Sequence, residues 1–313
     1  GVLRVTFDLI GDPLWWWGLI PLALGLATAI FGVVFAAVQT DMKRLLAYSS
    51  VENIGVLFTG IGLAIVFHGV GMTELAALAL IAVLYPSLNH AFMKSLLFLG
   101  TGAVLHATGE RNLGRLGGLI HRMPWAAWLT LVGVLAIAGL PPLNGFVSEW
   151  LLLQTFLFSH EVPQPFVNML LPLGAAIVAL AAALAGYVMV KFFGIVFLGQ
   201  PRESSLAAAH DVGGFEKAGL VWLAIGCVLL GLLPRQVIHS LAAATEQLTG
   251  AAPNLAGQSW WLLAPLTERD VSYAPLVLLA VIVAVVVATF LIVRVVYRRP
   301  VRLAAPWDCG CGR

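Results

Sequence analysis

Charge is scarce in this sequence. Only 10% of its 313 residues are Asp, Glu, Lys or Arg, against 60% hydrophobic residues. A soluble domain carries about 25% charged residues, so the solvent of this chain is the bilayer and a water-excluding globular core is not its organising device. The net charge of +2 is too small to point to a nucleic-acid partner. Cysteine is scarce too. Cys227, Cys309 and Cys311 make no disulfide framework and no iron–sulfur ligand pattern, and neither a haem motif nor a Gly-rich nucleotide loop is present. Redox chemistry and cofactors are therefore expected elsewhere. Cys227 reads as a small apolar residue. The two thiols of "CGC" are half a metal site, so no metal is assigned. The opening "GVLRVTFDLI" begins with Gly1 and lacks the layout of a signal peptide. The chain reads as a piece of a longer protein.

What the sequence has is long apolar runs, at 15–38, 45–67, 75–105, 124–140, 143–158, 169–198, 218–233 and 274–296. At ~1.5 Å per residue, roughly twenty residues cross the hydrocarbon core. The fold class is thus an all-α, multi-pass membrane protein. Trp15, Trp16 and Trp17 look like an interfacial anchor, as do Trp260 and Trp261 before the last run. "RQVIHSLAAATEQL" sets Val237, Leu241 and Leu248 against Arg235, Glu246 and Gln247, the pattern of a short interfacial helix.

The runs 124–140 and 143–158 are each short, with "GLPPLNG" between them. If they form one crossing with a broken middle, the basic loops share one side: Lys43/Arg44, then Arg111, Arg115 and Arg122, then Arg202 and Lys217, then Arg298, Arg299 and Arg302. The loops 68–74 and 159–165 on the other side hold no Lys or Arg, and the long 234–273 stretch holds only Arg235 and Arg269. Two full crossings would divide the basic loops between both faces. The positive-inside rule selects the single broken crossing, with the basic side cytoplasmic. Pro141 and Pro142 remove backbone donors and cannot continue a helix, and Gly145 permits unusual dihedrals, so the break is expected at these three residues. Unwound backbone at membrane depth survives only where protein or water satisfies it, and broken helices in transporters mark ion or substrate sites.

Glu149 follows that break in "NGFVSEW". Other charges lie inside apolar runs, where burial is expensive. Glu52 lies two turns into its run, Lys43 at a helix junction, and Lys191 near the end of 169–198. Ser87, His90, Lys94 and Thr101 fall on one helical stripe, with His90 and Lys94 on adjacent turns. Lysine and histidine carry exchangeable protons, and chains of such groups linked by water are what a proton relay requires. Each residue also has a structural reading. Lys43 would be a positive-inside anchor, Lys191 would snorkel, and Glu52 or His90 would make a fixed helix–helix contact.

"QTDMKRLLAYSSVENIG", "NHAFMKSLLFLGTGAVLH", "LGRLGGL" and "GLPPLNGFVSEWLL", in that order, resemble successive motifs of the antiporter-like subunits of respiratory complex I, Mrp-type cation/proton antiporters and group 4 [NiFe] hydrogenases. "YSSVENIG" and "PWDCG" are most similar to the hydrogenase-4 component B / formate hydrogenlyase subunit 3 branch. The resemblance implies two inverted five-helix repeats, each with one interrupted helix. Residues 1–13 would end a preceding helix and loop, 14–200 would be the second antiporter-like repeat, and 201–313 the C-terminal helices and cytoplasmic tail. It puts Lys94 and His90 on a central hydrophilic axis, Glu149 at the charged position of the interrupted helix, and Lys43 at the family's "D-(I/M)-K-R" lysine. Pro86 stands where some relatives have histidine, and Glu52 where many have a neutral residue or histidine. The implied function is proton translocation within a hydrogenase or formate hydrogenlyase-type oxidoreductase complex in a bacterial or archaeal plasma membrane. Its partners would be other membrane subunits and a peripheral [NiFe] hydrogenase/iron–sulfur arm. The alternatives are an Mrp-type Na⁺/H⁺ antiporter subunit and a purely structural membrane anchor.

Overall fold

A computed structural model describes residues 1–11, 13–252, 259, 262–264 and 272–296. Trp260, Trp261, Arg269, Arg298, Arg299, Arg302, Cys309 and Cys311 lie outside the described residues. Every apolar run becomes a helix: α1 Leu19–Val38, α2 Met42–Gly69, α3 Thr73–Thr108, α4 Pro124–Ile137, α5 Asn144–Leu157, α6 Pro165–Phe197, α7 Gly214–Leu232, α8 Pro234–Thr249 and α9 Pro275–Val296. Among the described residues the only β-type pairings are isolated bridges, Asp41 with Asn112 and Leu263 with Tyr273. The chain divides into two units, Gly1–Leu276 and the segment from Val277 onward, to which most of α9 belongs. The apolar α9 is described by itself.

Among the described residues six helices are long and apolar enough to cross a membrane: α1 with its preceding turn, α2, α3, α6, α7 and α9. The short helices α4 and α5, fourteen residues each, reach only roughly 21 Å, less than the ~30 Å hydrocarbon core. They touch each other little, whereas the antiparallel pair α1 and α2 pack along their length. That arrangement suits two halves of one interrupted crossing. Between them residues 138–143 leave the helix, and the Pro141–Pro142 bond is cis.

The α1–α2 contact is made by small residues. A Cβ on Gly25 or Gly32 of α1 would strike the backbone of α2, and one on Gly55 or Gly62 would strike α1. These glycines recur every seven residues, so the backbones meet along one seam, as small-residue interfaces allow in membranes. Asp41 starts α2 by accepting from the amides of Lys43 (2.9 Å) and Arg44 (3.1 Å). Its other oxygen pairs with Arg111 Nε at 3.0 Å. Met42 and Leu113 complete a clasp by donating to the carbonyls of Arg111 (3.0 Å) and Thr40 (2.8 Å). Thus "QTDMKR" and "LGRLGGL", read from the sequence as signatures, hold one another. Arg202 adds bonds to the carbonyls of Leu113 (3.0 Å) and Leu116 (2.6 Å). Pro124 opens α4, and its first amides are capped from a distance by Asp211, which accepts from Trp125 (2.8 Å) and Ala126 (3.2 Å). The expected amphipathic segment is α8; Glu246 and Gln247 are exposed, Val237, Leu241 and Leu248 half-buried, and the helix packs against α3.

Candidate functional site

Glu52, His90 and Glu149 come from α2, α3 and α5 and line one cavity of about 30 Å³, with Asn53, Pro86 and Ser148. A water needs roughly 10–15 Å³ of such space, so the cavity has room for about two. Its position follows from the packing beneath it. A Cβ on Gly32 of α1 would meet the backbone amide of Glu52, so the small-residue seam fixes where that carboxyl stands. Glu52 is 5% exposed, and its Oε2 has no protein partner. His90 Nδ1 is likewise buried and unpartnered. Lys94 and Glu149 are the charged groups that act on Glu52.

Lys94 does not line the cavity wall. It is 6% exposed and donates from Nζ to Ser49 Oγ (2.8 Å) and to the Leu46 carbonyl (3.2 Å). Ser49 lies three residues before Glu52, so the ammonium stands beside the cavity toward the N-terminus of α2. A buried ammonium needs such partners, since an unpaired charge in an apolar interior costs several kcal/mol.

The helix break builds the opposite wall. Gly139 has φ +65°, the left-handed region, and a Cβ there would collide with the Glu149 carboxylate. The loop thus folds its least bulky residue under the acid. Gly145 differs from expectation. It lies inside α5 without a positive φ, and its lack of a Cβ serves close approach to the Ala136 carbonyl. The break expected to extend to Gly145 therefore ends before it, at residue 143. Gly231 of α7 packs against Pro142 and Asn144 in the same manner. Asn89 ties α3 to the start of α5, donating to the Asn144 carbonyl (3.0 Å) and Ser148 Oγ (2.8 Å).

The remaining expected residues lie apart from the cavity. Lys191 donates to the carbonyls of Ala37 (2.6 Å) and Gln39 (3.3 Å), which end α1. Lys43 sits half-buried in the first turn of α2. Ser87 is exposed and bonds back to Val83, so it leaves the stripe formed by His90 and Lys94. Gly139, Asn89, Ser148 and Gly32 were not picked out from the sequence. "AIAGLPPLNG" held a signal for the first, a glycine just ahead of the prolines. Among the described residues no group of three His, Cys, Asp or Glu is placed to hold a metal ion.

A family described as NADH:quinone oxidoreductase/Mrp antiporter, transmembrane, matches residues 1–170. Formate hydrogenlyase subunit 3 of Escherichia coli (strain K12) is 41% identical over 248 residues, 78% of this chain and 40% of that protein. Hydrogenase-4 component B of the same organism is 37% identical over 253 residues, 79% of this chain and 38% of that protein. Among solved structures, a chain of the membrane-bound sulfane sulfur reductase, an archaeal respiratory membrane complex, superposes with a TM-score of 0.74 at 27% identity, covering 97% of this chain and 46% of that one. The chain spans about two fifths of the length of the curated relatives it matches.

Proposed function

Because the chain belongs to the NADH:quinone oxidoreductase/Mrp antiporter transmembrane family, we propose that it is the proton-translocating part of a membrane subunit in a hydrogenase or formate hydrogenlyase-type complex. The observation that carries this reading is the convergence of Glu52, His90 and Glu149, from three helices, on a water-sized cavity beside a helix break. Groups that gain and lose protons, spaced by water, are the parts of a relay. Lys94 supplies a fixed or movable positive charge next to Glu52, and its hydroxyl and carbonyl partners let it hold or release a proton without leaving its pocket. Lys43 extends the polar route toward the basic loops, which face the cytoplasm in this reading, while Lys191 ties α6 to the end of α1. Residues 14–200 form the translocating repeat, and 201–313 the C-terminal helices and tail. Electron transfer belongs to partner subunits, including a peripheral [NiFe] hydrogenase/iron–sulfur arm, and its energy reaches this chain by changing charge and hydration along the relay.

An Mrp-type Na⁺/H⁺ exchange is the second reading. It is favoured by one observation, that two carboxylates share the cavity, since oxygen ligands suit hard cations. The test is proton uptake by inverted membrane vesicles during redox turnover, comparing the full-length wild-type complex with Lys94→Met after equal assembly is verified. The expected result is continued turnover with proton uptake lost. Unchanged uptake per turnover would make Lys94 a structural charge and leave a membrane anchor. Sodium-driven pH changes in vesicles lacking the redox arm would favour the exchanger.

A further inference from the structure

The cavity is bordered by Ser148, and polar groups continue beyond it. Ser148 Oγ accepts from Asn89 Nδ2 (2.8 Å) and donates to the Asn144 carbonyl (3.1 Å). Asn89 and Asn144 are both fully buried. Asn89 Oδ1 and both polar atoms of the Asn144 side chain have no protein partner. About one turn nearer the start of α3, the buried Tyr85 donates its hydroxyl to the Leu230 carbonyl of α7. The Asn89 side chain and the phenol of Tyr273 are the polar side chains that act on that hydroxyl. Tyr273 is 6% exposed and packs against Phe146 and Trp150 of α5, with ring centroids at 5.2 and 5.7 Å. Its hydroxyl is buried and also lacks a protein partner.

An unsatisfied buried polar atom costs about 1–3 kcal/mol, and native folds rarely leave several together. Five side chains in one neighbourhood, three with orphaned atoms, therefore mark a place meant for ordered water. The track also has a direction. From the cavity, Lys94 reaches Ser49 and Leu46 in the first turns of α2, the helix that Lys43 and Arg44 open. Tyr85 lies on the other side of His90 along α3, away from the basic loops, and Tyr273 lies in the stretch before α9.

We propose that Ser148, Tyr85 and Tyr273, with Asn89 holding the water between them, form a second arm of the proton path that opens on the side of the bundle opposite the basic loops. The inference rests on the proton-translocating reading. In each step a hydroxyl accepts a proton on its oxygen and releases the one it carried to the next oxygen, so every group ends neutral and no charge is left behind. Asn89 is a positioning residue, since its amide does not exchange a proton in the step.

The test uses the full-length protein in its membrane complex, with Tyr273→Phe, Tyr85→Phe and Lys94→Met assayed for proton uptake per redox turnover and for thermal stability. Tyr273→Phe removes a hydroxyl that bonds to no protein atom, so a structural role predicts unchanged stability and unchanged uptake. The expected result is unchanged stability with uptake per turnover reduced about tenfold, equivalent to about 1.4 kcal/mol on the proton-transfer barrier. Tyr85→Phe is expected to show the same loss of uptake together with a lower melting temperature, because the Leu230 carbonyl loses its donor. Wild-type uptake in both tyrosine variants overturns the proposal. If Lys94→Met abolishes uptake in that case, only the second arm is wrong. If Lys94→Met also pumps normally, the function itself is misread and the arm falls with it.

Discussion

The two longest helices make an instructive pair. α3 has 36 residues and α6 has 33, each has an internal proline (Pro86 and Pro172), and each carries a single lysine. From composition alone the two lysines present the same puzzle. The structure separates them. In the most apolar stretch of α3 67% of residues are buried, against 33% in that of α6, so α3 is the inner helix and α6 an outer one. Lys191 of α6 reaches the last carbonyls of α1, where unsatisfied acceptors and the helix dipole both favour a cation. Those partners never change protonation. Lys94 of α3 has a hydroxyl partner and, next to it, a carboxyl and an imidazole around a water-sized space. A lysine in an apolar helix becomes a candidate carrier only when its neighbours can exchange protons too.

The comparison can be broken first on the α3 side. Gly139→Ala places a methyl group on the Glu149 carboxylate and strains a left-handed residue, at a cost of about 1–3 kcal/mol. Uptake per turnover in vesicles should collapse along with part of the thermal stability; retention of both would mean that Glu149 does not need its seat over the break. Lys191→Met tests the α6 side. Losing its two carbonyl bonds should lower stability by about 1 kcal/mol while proton uptake stays at the wild-type level. Were uptake to vanish as in Lys94→Met, the two lysines would be equivalent after all.

The smallest effect lies at the far end of α3. Amides of Asn112 and Arg111 donate to Glu110, each at 2.8 Å, and with the nearby Arg115 they hold its carboxyl below the usual carboxylate range. A group with a depressed folded pKa contributes its stability above the unfolded value and loses it as pH falls through the folded one. Acidification should therefore lower the amide protection factors of Leu113 and Met42, the clasp onto α2, once intrinsic exchange rates are divided out, and Glu110→Gln should remove that change in protection without altering uptake.

The spans were legible because hydropathy is a local property, and the break was legible because two adjacent prolines cannot continue a helix. Lys94, His90, Glu52 and Glu149 stood out as charges in apolar runs, and three of the four line the cavity. What stayed hidden depends on contacts distant in sequence. Asp211 caps α4 from 86 residues away, and the partners of Lys191 lie on α1, more than 150 residues earlier. The role of Gly139 exists only once the loop has folded back over Glu149. The seven-residue glycine spacing in α1 and α2 was readable in principle, but it becomes a reason only when the two helices are seen face to face.

The interruption between α4 and α5 has an electrical consequence of its own. Each half-helix carries a dipole worth about half an elementary charge at either end. The carbonyl end of α4 and the amide end of α5 meet at residues 138–143, so opposite partial charges face each other across the break. A continuous helix would cancel them internally; here they remain available. The amide end of α5 offsets a negative charge that comes to the gap, and the carbonyl end of α4, where Gly139 lies against the Glu149 carboxylate, offsets a passing proton or cation. The gap is thus a small amphoteric electrode, tolerant of either sign, placed where the lipid around it tolerates neither.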